Sequence, residues 1–357
     1  MTTSIIPPYE IGPIRPPSEA ASLYIRATRN CHWNRCKFCP VYKGTEPSSR
    51  PLDDVLKDVD SAADFHGDSY KSAFIQDADA IKEPTENLLA ILGRVRDKFP
   101  SISRITVYGR ASSINKKSLD ELRELQEAGL SRIHRGLETG YDPLQKYMKK
   151  GSIARIQIES GHKVKQAGII LSDYVLAGLA GNLKFDDQPA WMGHARETAR
   201  VCNEVNPNYI RIRTLAISPR SPLFEEAAAG EFKRLSDPAI VREIRLFVDS
   251  LDGVTSRIES DHMLNTLMEL KGTLPQDKQK MLDITDRYLQ MDYEDQLGFR
   301  VGVLLGFAGY AINGVGKFHT LDQFERTNAQ EKTREMIEII GVEGAEQLLT
   351  KLHQMTI

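Results

Sequence analysis

The chain has 357 residues, with 47 Lys plus Arg against 49 Asp plus Glu and a formal net charge of -2. Hydrophobic residues make up 41% and charged residues 27%, the balance of an ordinary globular protein, which excludes a disordered chain and a generic polyanion binder. Four cysteines are too few for a disulfide framework, and three of them fall within residues 31–39, which in a reducing compartment points to metal rather than to cross-links. A cytoplasmic location is the corresponding expectation.

A proline-rich arm over residues 1–19 opens the sequence, without the basic start and apolar run of a signal peptide. From residue 20, apolar runs of strand length alternate with amphipathic helical patterns. Strands are expected at 23–28, 72–75, 104–108, 132–137, 169–177 and 209–215, with helices between them over 52–65, 86–98, 118–128, 157–166 and 191–205. Gly129 and Gly168 stand where helix C-caps are expected. Six strands separated by helices imply parallel pairing through right-handed crossovers, and six units fall short of a complete barrel. The expected fold is therefore α/β, a partial (β/α)6 TIM-like barrel over residues 20–224. Beyond it the pattern turns helical at 238–251, 261–270, 275–290 and 329–352, a C-terminal helical extension over residues 225–357. The longest apolar stretch, 301–312, contains Gly302, Gly306 and Gly309 and is too short to span a bilayer, so no membrane span is expected.

Ligands of such folds lie at the carboxyl ends of the strands. There the segment RNCHWNRCKFCPVYKG places Cys31, Cys36 and Cys39 as C-x4-C-x2-C. Thiolates are soft ligands suited to zinc or to iron-sulfur clusters. A structural zinc takes four protein ligands, whereas only three cysteines are local and His32, adjacent to Cys31, is poorly placed to share its metal. Three thiolates suit a 4Fe-4S cube with one iron open to a small molecule. Cys202, in a helical pattern far away in sequence, reads as a small buried hydrophobe. Structural zinc and a non-catalytic metal or electron-transfer protein stand as alternatives.

With Phe38 before the last cysteine, and with its place after the first strand of a six-unit chain, the sequence resembles the radical S-adenosylmethionine (SAM) enzymes. The coproporphyrinogen-oxidase-like and Elongator-like branches are the most similar, over roughly residues 20–225. The usual signature is C-x3-C-x2-C; this chain has one more residue in the first gap. The resemblance implies a 4Fe-4S cluster on Cys31, Cys36 and Cys39 that cleaves SAM reductively to a 5'-deoxyadenosyl radical, with an external electron donor such as flavodoxin or ferredoxin. It further implies that Gln76, Asp77 and Asp79 meet the SAM amino group, with Ala78 where glycine is common. Glu138, in a GLETG segment resembling G-x-E-[ST]-G, would contact SAM, and Lys150 its carboxylate. Ser172, Tyr174 and the Gly178–Gly181 segment correspond to the ribose and adenine edge, where small residues let a ring approach the backbone. Three of these have plainer readings: a capping turn for Gln76–Asp79, a solvated helix end for Lys150, and ordinary strand residues for Ser172 and Tyr174.

Tyr108 and Arg110 end the third strand, and Arg211 and Arg213 alternate on the sixth and so face one side. Facing the mouth, these arginines suit a carboxylate or phosphate of SAM or substrate; facing outward, they are surface charges. Arg110 and Arg213 are thus candidate cofactor contacts and Tyr108 a candidate catalytic residue. His262, in Ser260-Asp261-His262, is a second catalytic candidate, set against a helix-capping Asp261 beside an exposed histidine. The expected substrate is a small or medium-sized organic molecule. A tRNA-modifying radical SAM enzyme is the alternative, and near-neutral charge without an appended RNA module or second cysteine cluster speaks against a nucleic-acid partner.

Overall fold

The computed structural model describes residues 12, 14–310, 315–326 and 328–355. Most of the arm expected over 1–19 lies outside the described residues; within them, Pro17–Glu19 forms a single 3-10 turn. The chain divides into two compact units, one made of residues up to Arg35 with Val41–Gly136 and Glu159–Leu171, the other of Cys36–Pro40, Leu137–Ile158 and Ser172 onward.

In the first unit, strands β1 (Leu23–Arg26), β2 (Ser72–Gln76), β3 (Arg104–Gly109) and β4 (Leu130–Glu138, whose last two residues belong to the second unit) pair in parallel in that order. Helices α1 (Leu52–His66), α2 (Thr85–Lys98), α3 (Ala111–Lys116) and α4 (Leu119–Glu127) alternate with them. Every residue of β2 is buried, as its near-continuous apolar run requires of a strand covered on both faces. α2 buries Leu88, Ile91, Leu92 and Val95, one stripe at helical spacing. α4 begins where Ser118 and Glu121 close a reciprocal capping box. Beside the strand starts, fully buried Glu19 accepts from Ser22 Oγ (2.7 Å), His134 Nε2 (3.0 Å) and Arg104 Nη2 (3.2 Å).

Helices α5 (Asp142–Tyr147) and α6 (Ala154–Gln166) follow β4. In the second unit, β5 (Ile170–Ala177, whose first two residues belong to the first unit), β6 (Tyr209–Thr214) and β7 (Arg257–Glu259) pair in parallel, and β8 (Lys271–Thr273) adds antiparallel to β7. Its further helices are α7 (Ala190–Val205), α8 (Pro222–Ala228), α9 (Asp237–Asp249), α10 (Lys278–Gln290), α11 (Tyr293–Phe307), α12 (Leu321–Arg326) and α13 (Ala329–Met355). The expected α/β architecture is present: the six expected strands pair in parallel within their units and alternate with helices, β7 adds a seventh parallel strand, and additional C-terminal helices follow. Gly129 and Gly168 adopt left-handed φ of 115° and 75° just past α4 and α6, as helix ends demand.

Two expectations need correction. The helix expected over 261–270 does not form; irregular turns there join β7 to β8, so the region after residue 224 adds strands as well as helices. Leu264, Leu267 and Leu270 have helical spacing, but side chains capture the backbone instead. Ser260 Oγ donates to the Leu267 carbonyl (2.7 Å), Asn265 Nδ2 to the Ile212 carbonyl (2.9 Å), and buried Arg300 to the Leu264 carbonyl (2.7 Å). The second correction is α11, whose end the sequence showed only as an apolar stretch. It is buried nearly all round and lacks a polar face to reveal its period, and Gly302 leaves room for the Phe318 ring. Among the described residues no helix is long and apolar enough to cross a membrane.

Candidate functional site

The cysteine loop leaves the first unit from a short ladder in which Thr28–Arg29 pairs with Ser48–Ser49. Left-handed turns at Asn30 (φ 62°) and Asn34 (φ 41°) flank Cys31, and Asn34 N–H approaches Cys31 Sγ at 3.5 Å. In the second unit, Cys39 N–H donates to the Cys36 carbonyl (3.4 Å), and Lys37 ties this stretch to the Met148 carbonyl and the Leu223 amide (3.0 and 2.9 Å). Cys31, Cys36 and Cys39 are of intermediate exposure and form no disulfide among the described residues, whereas Cys202 is buried in α7. Among the described residues no three His, Cys, Asp or Glu side chains are grouped to hold one ion. Ligands of a single zinc all sit about 2.3 Å from it or closer, whereas a cube takes its thiolates on separate irons. Soft thiols of intermediate exposure, close together in sequence on one loop, fit the donor chemistry of a 4Fe-4S cluster.

The turn after β2 departs from what the sequence suggests. Asp77 is buried and accepts from Arg26 Nη1 (3.3 Å), the Asn30 amide (3.2 Å) and the Tyr42 hydroxyl, while its own amide donates to Thr28 Oγ1 (3.0 Å). Asp79 accepts from the Arg110 amide (2.7 Å) and Ser113 Oγ (2.5 Å) at the start of α3, with His32 Nδ1 at 3.3 Å. Burial raises the Asp79 carboxyl to about 6 despite the Ser113 hydrogen bond. Both carboxylates brace their surroundings, Asp77 within the loop and Asp79 at the start of α3. Gln76 differs: it is buried and its Oε1 has no hydrogen-bond partner among the described residues. Arg110 lies 4.9 Å from the Trp33 ring and 3.4 Å from His32 Nε2. Burial first, then the charges of Lys82, Arg110 and Lys116, lower the His32 imidazole to about 4. Tyr108 packs edge-on against Phe74 (4.9 Å between centroids) and beside His134 (5.9 Å).

In the second unit, Glu138 ends β4 in a left-handed conformation (φ 60°). Its Oε1 lies 3.5 Å from Lys150 Nζ, and both side chains keep some exposure, 17% and 11%. The two residues singled out separately in the sequence thus form one charge pair. Behind them, Gly140 N–H donates to Thr198 Oγ1 (2.9 Å), because a Cβ on Gly140 would collide with the Glu197 backbone. His194 Nδ1 meets Thr139 Oγ1 (2.8 Å) and its Nε2 the Leu176 carbonyl (3.2 Å). Gly178 N–H donates to Glu243 Oε1 (2.7 Å). Gly181 (φ 52°) packs against Phe232, a Cβ there lying 2.6 Å from the Lys233 carbonyl. The ring that the small residues admit at Gly181 is therefore the chain's own. Ser172 is buried and accepts from Arg211 Nε (3.1 Å), and Tyr174 stacks on Arg213 at 5.0 Å.

Asp261 corrects a further expectation. It caps no helix; its two oxygens accept from Arg211 Nη1 (2.9 Å) and Arg213 Nη1 (2.7 Å). His262 is half-buried rather than exposed, its Nδ1 accepts from the Leu264 amide (3.2 Å), and burial with the Arg213 charge lowers it to about 4. Glu243 and His194 went unnoticed in the sequence. A signal existed: Glu243 interrupts the buried stripe of Ile240, Val241, Ile244, Phe247 and Val248 on α9.

Residues 25–181 match the family described as the Radical SAM superfamily, a segment that holds the three loop cysteines, Glu138 and Lys150. That matched segment is similar to a family that uses a 4Fe-4S cluster and SAM. Among solved structures it is similar to methylornithine synthase (17% identity, TM-score 0.44, 64% of this chain and 63% of that one). Similarity extends to the cobalamin-dependent SAM radical enzyme OxsB (14%, 0.49, 94% and 58%) and to coproporphyrinogen III oxidase from Escherichia coli (16%, 0.46, 64% and 52%). The chain spans less than two thirds of the length of each. No curated protein matches it.

Proposed function

We propose that this chain is a radical SAM enzyme acting on a small or medium-sized organic substrate, with Cys31, Cys36 and Cys39 holding its cluster. The observation that carries the reading is the set of three cysteines of intermediate exposure on one loop inside the family-matched segment, with Cys202 buried elsewhere. When bound, a 4Fe-4S cluster supplies the electron that cleaves the SAM sulfonium. The chain's own part is to bind and orient. Glu138 and Lys150 offer opposite charges to the ammonium and carboxylate of the SAM amino-acid end. The unpartnered Gln76 Oε1 supplies a further acceptor, in place of Asp77 and Asp79. Tyr174 and Gly178 flank the nucleoside, an external donor such as flavodoxin or ferredoxin supplies electrons, and residues 225–357 set specificity on a core of residues 20–224.

Anaerobic reconstitution with iron and sulfide, then dithionite and SAM, is expected to give a 4Fe-4S absorption spectrum and 5'-deoxyadenosine. Cys36→Ala is expected to lose both. A reconstituted protein that neither binds SAM nor yields any SAM cleavage product overturns the enzyme reading. A Cys36→Ala protein that keeps cluster and turnover removes Cys36 from the ligand set.

A further inference from the structure

The sheet of the second unit has two unlike faces. Val175, Ala177 and Ile212 lie on one side, among His194, Ala195 and Thr198 of α7 and Ile244 and Phe247 of α9. The register Arg211↔Tyr174 and Arg213↔Leu176, with strand alternation, puts Ser172, Tyr174, Arg211 and Arg213 on the other side. There, two guanidiniums share one carboxylate. Burial pushes the Asp261 carboxyl up, but Arg213 and then Arg211 hold it below the usual carboxylate range, so it is ionised at neutral pH. Glu259, on the neighbouring strand, is paired with Arg257 at 2.5 Å, and His262 is neutral at that pH. Two positive charges therefore face one negative charge.

The donors are not all used. Arg211 spends Nε on Ser172 and Nη1 on Asp261, and Arg213 spends Nη1 on Asp261 and on the Ile212 carbonyl (2.8 Å). Arg213 Nη2 is buried and has no hydrogen-bond partner among the described residues, a rare state for a charged donor. The fork is held in place: Asn265 anchors the segment to Ile212 and Thr214 Oγ1 (3.0 Å), and Arg300 holds the carbonyls of Leu264 and Asn265. A fixed guanidinium with a spare nitrogen, excess positive charge and an aromatic face beside it has the chemistry of a carboxylate or phosphate receptor. We propose that the Arg211–Asp261–Arg213 fork is an anion subsite that takes a carboxylate or phosphate group of the substrate on Arg213 Nη2, beside Tyr174. The word substrate rests on the radical SAM reading; anion binding does not.

The test is calorimetric titration of the full-length, iron-free chain with sodium phosphate and, separately, with sodium succinate, at constant ionic strength. At least one anion is expected to bind with a Kd below about 10 mM. Arg213→Gln is expected to weaken that binding about tenfold or more, and Asp261→Asn to tighten it about threefold by removing the competing carboxylate. Arg213→Lys keeps the charge without the second nitrogen, weakens binding to an intermediate degree, and replaces Arg213→Gln if that protein does not fold. Binding of phosphate alone or succinate alone identifies the anionic group. Absence of both, parental affinity in the Arg213 variant, or no tightening in Asp261→Asn overturns the subsite. The measurement needs neither cluster nor SAM, so a chain that binds the anion but makes no 5'-deoxyadenosine loses the enzyme reading and keeps the subsite.

Discussion

Asp77 and Asp79 in the first unit are surrounded by donors of their own chain, whereas in the second unit Glu138 meets Lys150 at a loose 3.5 Å and Arg213 keeps a nitrogen without a partner. The same kinds of charged group thus serve two purposes. A carboxylate that is buried and saturated fixes a loop, because every lone pair it gives up to the protein is lost to a ligand. A pair that is longer and partly exposed gives up little when a ligand enters. The largest expected effect lies on the saturated side. Asp77→Ala removes the buried carboxylate that accepts from Arg26 Nη1, the Asn30 amide and the Tyr42 hydroxyl, and is expected to cost roughly 3–5 kcal/mol in denaturant unfolding. A loss below about 1 kcal/mol, the scale of an exposed pair, would break the contrast.

Stability against pH sharpens it next, through one buried carboxyl in each unit. Burial pushes Glu19 up, but hydrogen bonds from His134 and Ser22 and the charges of His134 and Arg104 outweigh it and lower the carboxyl from 4.5 to about 2. Its contribution is complete above 4.5 and is lost as pH falls from there toward 2. Glu243 runs the other way: burial raises it from 4.5 to about 8 against one backbone hydrogen bond from Gly178. The native state then holds a proton that the unfolded chain has released, so stability falls as pH rises between 4.5 and 8. Glu243→Gln is expected to remove that slope, gaining on the parent by up to about 1 kcal/mol per pH unit when unfolding is compared from pH 5 to 8. Parallel profiles of the two proteins would mean that Glu243 is ionised in the fold.

Gly181→Ala comes third, with an expected loss of about 1–3 kcal/mol, since a methyl group must enter the space of Phe232 from a left-handed backbone. Thermal unfolding reads it, and an unchanged midpoint would show that Phe232 yields.

What the amino-acid order revealed follows the same division between local and distant causes. α1 and α7 lie within a residue of their expected bounds because their apolar stripes are local patterns, and the three cysteines were visible from spacing alone. The roles of Asp77 and Asp261 were not legible. Asp77 is claimed by Tyr42 and Arg26, 35 and 51 residues away, and Asp261 by two arginines 50 and 48 residues away, and no window of periodicity contains both partners. The missing helix over 261–270 fails for the same reason: Arg300 and the Ile212 carbonyl, which capture its backbone, come from other elements.

The smallest expected change in stability belongs to Glu138→Ala, and it separates binding from folding most directly. The Glu138–Lys150 pair is partly exposed and 3.5 Å long, so its loss is expected to shift unfolding by less than about 1 kcal/mol. The left-handed φ of 60° at Glu138 is kept by alanine no more easily than by glutamate, so backbone strain is common to both proteins and cancels. If this carboxylate receives the SAM ammonium, the variant should still assemble its cluster yet bind SAM about tenfold more weakly in equilibrium dialysis, the loss of one charge-assisted hydrogen bond. Lys150→Ala should do the same through the carboxylate, and the double variant should lose less than the sum, because each partner left alone is freed to bind water. SAM affinity unchanged in both single variants would leave the pair as a strand-end contact of the fold and move the search for the amino-acid end of SAM to Gln76, whose Oε1 remains unmet.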